Sequence, residues 1–83
     1  MPKITVYTTT YCPYCVRAKD LLKRRGISFE EIQISDDDDA AWDELYQRSK
    51  MQTVPQIYVD GQILGGYNEL AARDQQDQLA SLR

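Results

Sequence analysis

Only Asp60 and Gly61 stand between the runs Gln56-Ile57-Tyr58-Val59 and Gln62-Ile63-Leu64. An Asp-Gly pair flanked by such runs predicts a two-residue hairpin, and with it an antiparallel strand pair. The rest of the chain must pack around that hairpin. Lys3 to Thr8 alternates apolar and polar side chains and is rich in β-branched residues, which predicts a first strand. Pro13 to Arg25 has no internal breaker and places Cys15, Ala18 and Leu22 on one helical face. Its basic end, Lys23-Arg24-Arg25, suits the negative pole of a helix, and Gly26 is a natural stop.

A second strand is expected from Ile27 to about Ile34. Its apolar phase moves from Ile27 and Phe29 to Ile32 and Ile34, which fits either a bulge or burial on both faces. Ser35 can cap a second helix reaching about Ser49, with Ala41, Leu45, Trp42 and Tyr46 spaced to bury a stripe. Gly65-Gly66 ends the hairpin's second strand, and Tyr67 to Arg83 reads as one or two short helices. The order βαβαββα joins a right-handed strand–helix–strand crossover to a hairpin. The expectation is therefore an α/β fold, a four-stranded mixed β-sheet flanked by helices, with residues 1–83 as a single domain.

Composition narrows the function. Ten basic and thirteen acidic residues give a net charge of −3, and there is no basic stripe, so nucleic acid is not an expected partner. No apolar run approaches the roughly 20 residues of a membrane helix. Met1 leads into a strand-like stretch without the blocks of a signal peptide, so the expected setting is a cytoplasmic monomer that does not bind membrane.

Chemistry concentrates at Cys12-Pro13-Tyr14-Cys15, between a predicted strand and a predicted helix. Pro13 fits the first helical position, where its missing N–H has no helical partner, which puts Cys12 at the N-cap. There its sulfur meets free backbone N–H groups and the positive pole of the helix, a setting that lowers a thiol pKa into the range of about 3.5–7.5. That supplies a nucleophile in a chain without histidine. Residues three apart on a helix have Cβ atoms about 5–6 Å apart, so Cys15 can attack a mixed disulfide formed on Cys12. The competing readings are weaker. A structural disulfide across so short a loop would stabilise little in a reducing compartment. Zinc would need about two more ligands, and an iron–sulfur cluster shared across a dimer would need outside thiols.

With its cysteines so placed, the chain resembles the glutaredoxin family, whose dithiol class carries Cys-Pro-Tyr-Cys at this point. The resemblance runs nearly end to end, through Tyr7-Thr8, Arg17-Ala18-Lys19, Thr53-Val54-Pro55-Gln56-Ile57 and Gly65-Gly66. It implies a thioredoxin-like fold with a cis Val54–Pro55 peptide, and a redox-active disulfide between catalytic Cys12 and Cys15. It also implies glutathione as co-substrate with no permanently bound cofactor, held along Tyr14, Thr53, Val54, Pro55, Gly66, Tyr67 and Asn68. Val54 would pair its backbone with that of glutathione, and the helix start at Tyr67 would receive the γ-glutamyl carboxylate. The implied partners are glutathione, glutathionylated proteins and protein disulfides, with ribonucleotide reductase one candidate. The other function considered is a cluster-carrying dimer, associated in the family with Cys-Gly-Phe-Ser, a motif absent here. A thioredoxin-type reductase would carry Trp-Cys-Gly-Pro-Cys instead.

Three positions depart from the family pattern. Thr9 stands where many relatives have lysine, Lys50 where they often have glycine, and Asn68 where they often have aspartate. Lys50 is the candidate replacement for the missing cation. The run Asp36 to Asp39 reads as a solvated helix start and not as a metal site. Trp42, Tyr46 and Met51 read as packing residues.

Overall fold

In the computed structural model, which describes residues 3–10, 12–51, 53–76 and 79, the elements follow the expected order. They are β1 (Ile4–Thr8), α1 (Pro13–Arg24), β2 (Glu30–Gln33), α2 (Asp39–Ser49), β3 (Gln56–Val59), β4 (Gln62–Gly65) and α3 (Tyr67–Gln75). The sheet order is β2-β1-β3-β4. β1 pairs parallel with β2 and antiparallel with β3, and β3 pairs antiparallel with β4. Asp60 and Gly61, at φ of 52° and 85°, form the hairpin turn. Tyr11 and the end of the expected C-terminal helices, residues 80–83, lie outside the described residues.

Alternation along the strands sends side chains into two separate cores. On one face Ile4, Val6 and Ile57 meet Ala18, Leu21 and Leu22 of α1 and Leu70 of α3, with Ile27 and Leu79 beside them. On the other, Tyr58 and Ile34 meet Leu45 of α2, with Tyr7, Ile32, Trp42 and Ile63 packed around them. This two-sided burial resolves the phase change before β2. Ile27 and Phe29 serve the first core, Ile32 and Ile34 the second, and the β1–β2 register runs without a bulge. β2 is accordingly shorter than the expected 27–34.

Several boundaries move for local reasons. α2 starts at Asp39, capped by Asp38, whose carboxylate accepts from the Ala41 N–H at 3.2 Å. Ser35, expected to be the cap, instead holds the turn before it: its hydroxyl accepts from the Asp37 N–H and its carbonyl from Trp42 Nε1. Tyr46 is exposed, so it does not join the α2 stripe. Lys50 ends α2 in the left-handed conformation, φ 61°. That conformation suits glycine, the residue that the family often carries there. The lysine thus closes a helix, and it is not among the residues that line the groove described below. Gly65 belongs to β4, beyond a register shift opposite Ile57 and Tyr58.

Candidate active site

Cys12 leaves β1's direction with φ −143° and ψ 99°, and α1 begins at Pro13. This extended backbone turns the side chain over the first turn, where the Cys12 sulfur accepts from the Cys15 N–H at 3.2 Å. The sulfur thus takes a peptide N–H as its hydrogen-bond donor at the first turn of a twelve-residue helix. In its thiol form the Cys12 S–H points to the Val54 carbonyl oxygen, 3.6 Å away. Both cysteines are free thiols.

The two sulfurs have different surroundings. Cys12 is half-buried, whereas Cys15 is only 2% exposed. Burial, and after it the hydrogen bond with Cys12, pushes the Cys15 thiol up to about 12, against an opposing pull from the Thr9 backbone. The pair therefore offers one accessible sulfur and one shielded thiol that stays protonated at neutral pH.

Beside Cys12 runs a groove of about 460 Å³. Tyr14, Thr53, Val54, Pro55, Gly66, Tyr67 and Asn68 all line it, together with Met51 and Glu69. The Val54–Pro55 peptide is cis. Gly66 keeps the floor open: a β-carbon there would lie 3.2 Å from Met51 Cε and 3.3 Å from the Pro55 carbonyl oxygen. α3 starts immediately after it, so the helix's first N–H groups, which have no intrahelical partner, open at the groove. The Glu69 carboxylate folds back over Gly65 and accepts from the Gly66 N–H at 3.2 Å.

Met51 and Glu69 escape a reading of the sequence for different reasons. Met51 sits in a loop without periodicity. Glu69 is the back half of a capping box, legible from the Gly66-x-x-Glu69 spacing only once glycine is accepted as the N-cap. Across the groove mouth the Tyr14 and Tyr67 rings stand 5.9 Å apart, with the Arg17 guanidinium 5.3 Å from the Tyr14 ring.

Residues 4–64 match the glutaredoxin family model. The chain is a glutaredoxin. It is 46% identical over 74 residues to glutaredoxin 3 of Escherichia coli K12, covering 89% of this chain and 88% of that protein. It is 40% identical over 82 residues to a Pseudomonas aeruginosa glutaredoxin, covering 99% and 96%. Among solved structures it is similar to a buckwheat glutaredoxin–glutathione complex, with a TM-score of 0.88 at 28% identity over 98% of this chain and 76% of that one. Glutaredoxin 1 of Francisella tularensis, complexed with cacodylate, gives 0.80 at 36% identity over 93% and 96%. The fold is thioredoxin-like, and the role is that of a thiol–disulfide oxidoreductase.

One further feature of this glutaredoxin shapes the groove from below. Gln56 opens β3 fully buried, and its Nε2 donates to the carbonyls of Met51 and Thr53 at 3.2 and 3.0 Å. Its Oε1 accepts from the Tyr58 hydroxyl at 3.0 Å. Tyr58 is held in turn by Tyr7, edge-on at 5.3 Å, and by the Arg48 guanidinium 4.6 Å from its ring. A buried carboxamide satisfied on both ends thus ties the groove's loop to the α2 core.

Proposed function

We propose that this glutaredoxin uses glutathione to reduce glutathione mixed disulfides and protein disulfides through Cys12 and Cys15. One observation carries the reading: the half-buried Cys12 sulfur stands 3.6 Å from the Val54 carbonyl, at the edge of a groove floored by Gly66 and the start of α3. A peptide-like thiol of glutathione's size can lie there with its backbone along Thr53 and Val54. Its carboxylate would then meet the first N–H groups of α3, where negative charge is favoured.

For a glutathionylated protein, the Cys12 thiolate attacks the glutathione sulfur. The protein leaves as a thiolate that takes up a proton, and Cys12 carries glutathione as a mixed disulfide. A second glutathione thiolate attacks the glutathione sulfur of that bond, releasing oxidised glutathione and restoring the Cys12 thiolate. For a protein disulfide, Cys12 first forms a mixed disulfide with one substrate sulfur and releases the other. Cys15 then loses its proton and attacks Cys12, freeing the substrate and leaving a Cys12–Cys15 disulfide that two glutathione molecules reduce. The raised pKa of Cys15 makes this second attack the step most helped by rising pH.

The test is turnover of both substrate types by two variants. Cys12→Ser is expected to lose both activities, and Cys15→Ser to keep deglutathionylation while losing dithiol reduction. Activity surviving in Cys12→Ser would overturn the mechanism.

A further inference from the structure

The exposed flank of α1 carries a run of charge that the dithiol chemistry does not use. Arg17, Asp20, Lys23, Arg24 and Tyr67 line a second hollow of about 500 Å³. Tyr67 also lines the groove beside Cys12, so the two hollows abut across the Tyr14–Tyr67 ring pair. Of the nearby cations, Lys19 is bound to Glu31 at 2.9 Å and Arg25 to Asp74 at 2.6 Å. Among the described residues Arg17, Lys23 and Arg24 form no ion pair, and the hollow sets these three cations against the single carboxylate of Asp20.

The chain's acidic stretch, Asp36 to Asp39 with Asp43 and Glu44, belongs to α2 and its approach, and α2 packs on the opposite face of the sheet. A chain of net charge −3 therefore presents a positive strip beside its reactive sulfur. Lys23 and Arg24 complement the negative end of α1. Arg17, near the positive end of the same helix, is not placed there by the dipole; its guanidinium lies over the Tyr14 ring and extends the strip toward Cys12.

We propose that this strip docks an acidic segment of the polypeptide that carries the glutathionylated cysteine, a substrate class that rests on the glutathione reading above. α1 rises about 1.5 Å per residue, which places Arg17 about 7.5 Å and Arg24 about 18 Å along the axis from Cys12. An extended peptide covers about 3.4 Å per residue, so the matching carboxylates lie about two and five residues from the target cysteine. Exposed Tyr14 and Val16 offer apolar surface to the residues nearest that cysteine.

The test compares two glutathionylated peptides of equal length, with Glu or with Gln at the second and fifth positions on both sides of the cysteine. The glutathione mixed disulfide of 2-mercaptoethanol serves as a small neutral control. At about 20 mM salt, kcat/KM for the Glu peptide is expected to exceed that for the Gln peptide roughly tenfold, a preference screened out above about 0.5 M salt. Lys23→Glu with Arg24→Glu should erase the preference and leave the small substrate unchanged. The milder Lys23→Gln, Arg24→Gln pair should weaken it in the same direction. Equal turnover of the two peptides at low salt, or a preference that survives both double variants, overturns the docking surface alone. Failure of the wild type to turn over the small mixed disulfide overturns the glutathione reading and this proposal together.

Discussion

Replacing Gln56 by methionine keeps the side chain's length and removes its amide. Three hydrogen bonds disappear together: Nε2 to the Met51 carbonyl, Nε2 to the Thr53 carbonyl, and the Tyr58 hydroxyl to Oε1. Leaving a buried polar group without a partner costs about 1–3 kcal/mol, so the surroundings of each group decide the sum. Tyr58 is 2% exposed, and its hydroxyl is left with the full penalty. Met51 is half-buried and Thr53 exposed, so their carbonyls recover part of their bonding from water. The expected loss is therefore about 3 kcal/mol, below the sum of three full penalties. With an m-value near 1 kcal/mol/M for so small a chain, the urea midpoint should fall by about 3 M. Tyr58→Phe alone, which strands only Oε1, should cost about 1 kcal/mol. In the Gln56→Met background the same change should instead recover about 1 kcal/mol or more, because it removes the hydroxyl that the first substitution stranded. A Gln56→Met midpoint within experimental error of wild type, or strict additivity in the double variant, would refute the network.

Two further outcomes follow from single residues. Because burial raises the Cys15 pKa from about 9 to about 12, the unfolded chain releases a proton in that window which the native chain retains. Stability conferred by the buried thiol is thus complete below about pH 9 and falls by roughly tenfold in the folding equilibrium per pH unit above it. Urea melts at about pH 8, 9 and 10 should show wild type losing ground to Cys15→Ser, and parallel pH profiles would contradict the assignment. Lys50→Gly relieves a side chain held at φ 61°, and thermal unfolding should shift upward by the equivalent of about 0.5–1 kcal/mol. A lower melting temperature would show that the lysine side chain makes a stabilising contribution of its own.

What could be read from the sequence was governed by how local the cause is. The Cys12 N-cap was legible because Pro13 and the three-residue cysteine spacing act within one turn. The hairpin was legible because Asp60 and Gly61 both take positive φ themselves. The cap of α2 was not, because Ser35 and four consecutive aspartates are all competent caps. Contacts such as Trp42 Nε1 to the Ser35 carbonyl, made only in the folded chain, accompany the choice of Asp38. The phase of β2 needed both helical layers before it could be explained. Gln56 is a polar residue in a short strand, and nothing within its neighbourhood of sequence announces that a loop's carbonyls and a tyrosine hydroxyl will close around it. The groove residues themselves were reached through family resemblance, since Gly65-Gly66 alone reads as an ordinary turn.

The pairing of β1 with β3 has a consequence for how function is acquired. Tyr7 lies opposite Gln56, and just beyond that rung Cys12 and Val54 face each other. The cysteines come from the first strand–helix unit, the loop before β3 and the start of α3 from the second half of the chain. A polypeptide extended only as far as β2 contains both cysteines and the helix that Cys12 caps, but of the groove's lining it contains only Tyr14. The dithiol is thus local to one strand–helix junction, whereas the groove beside it exists only once β3 closes against β1 and brings its loop and the start of α3 alongside.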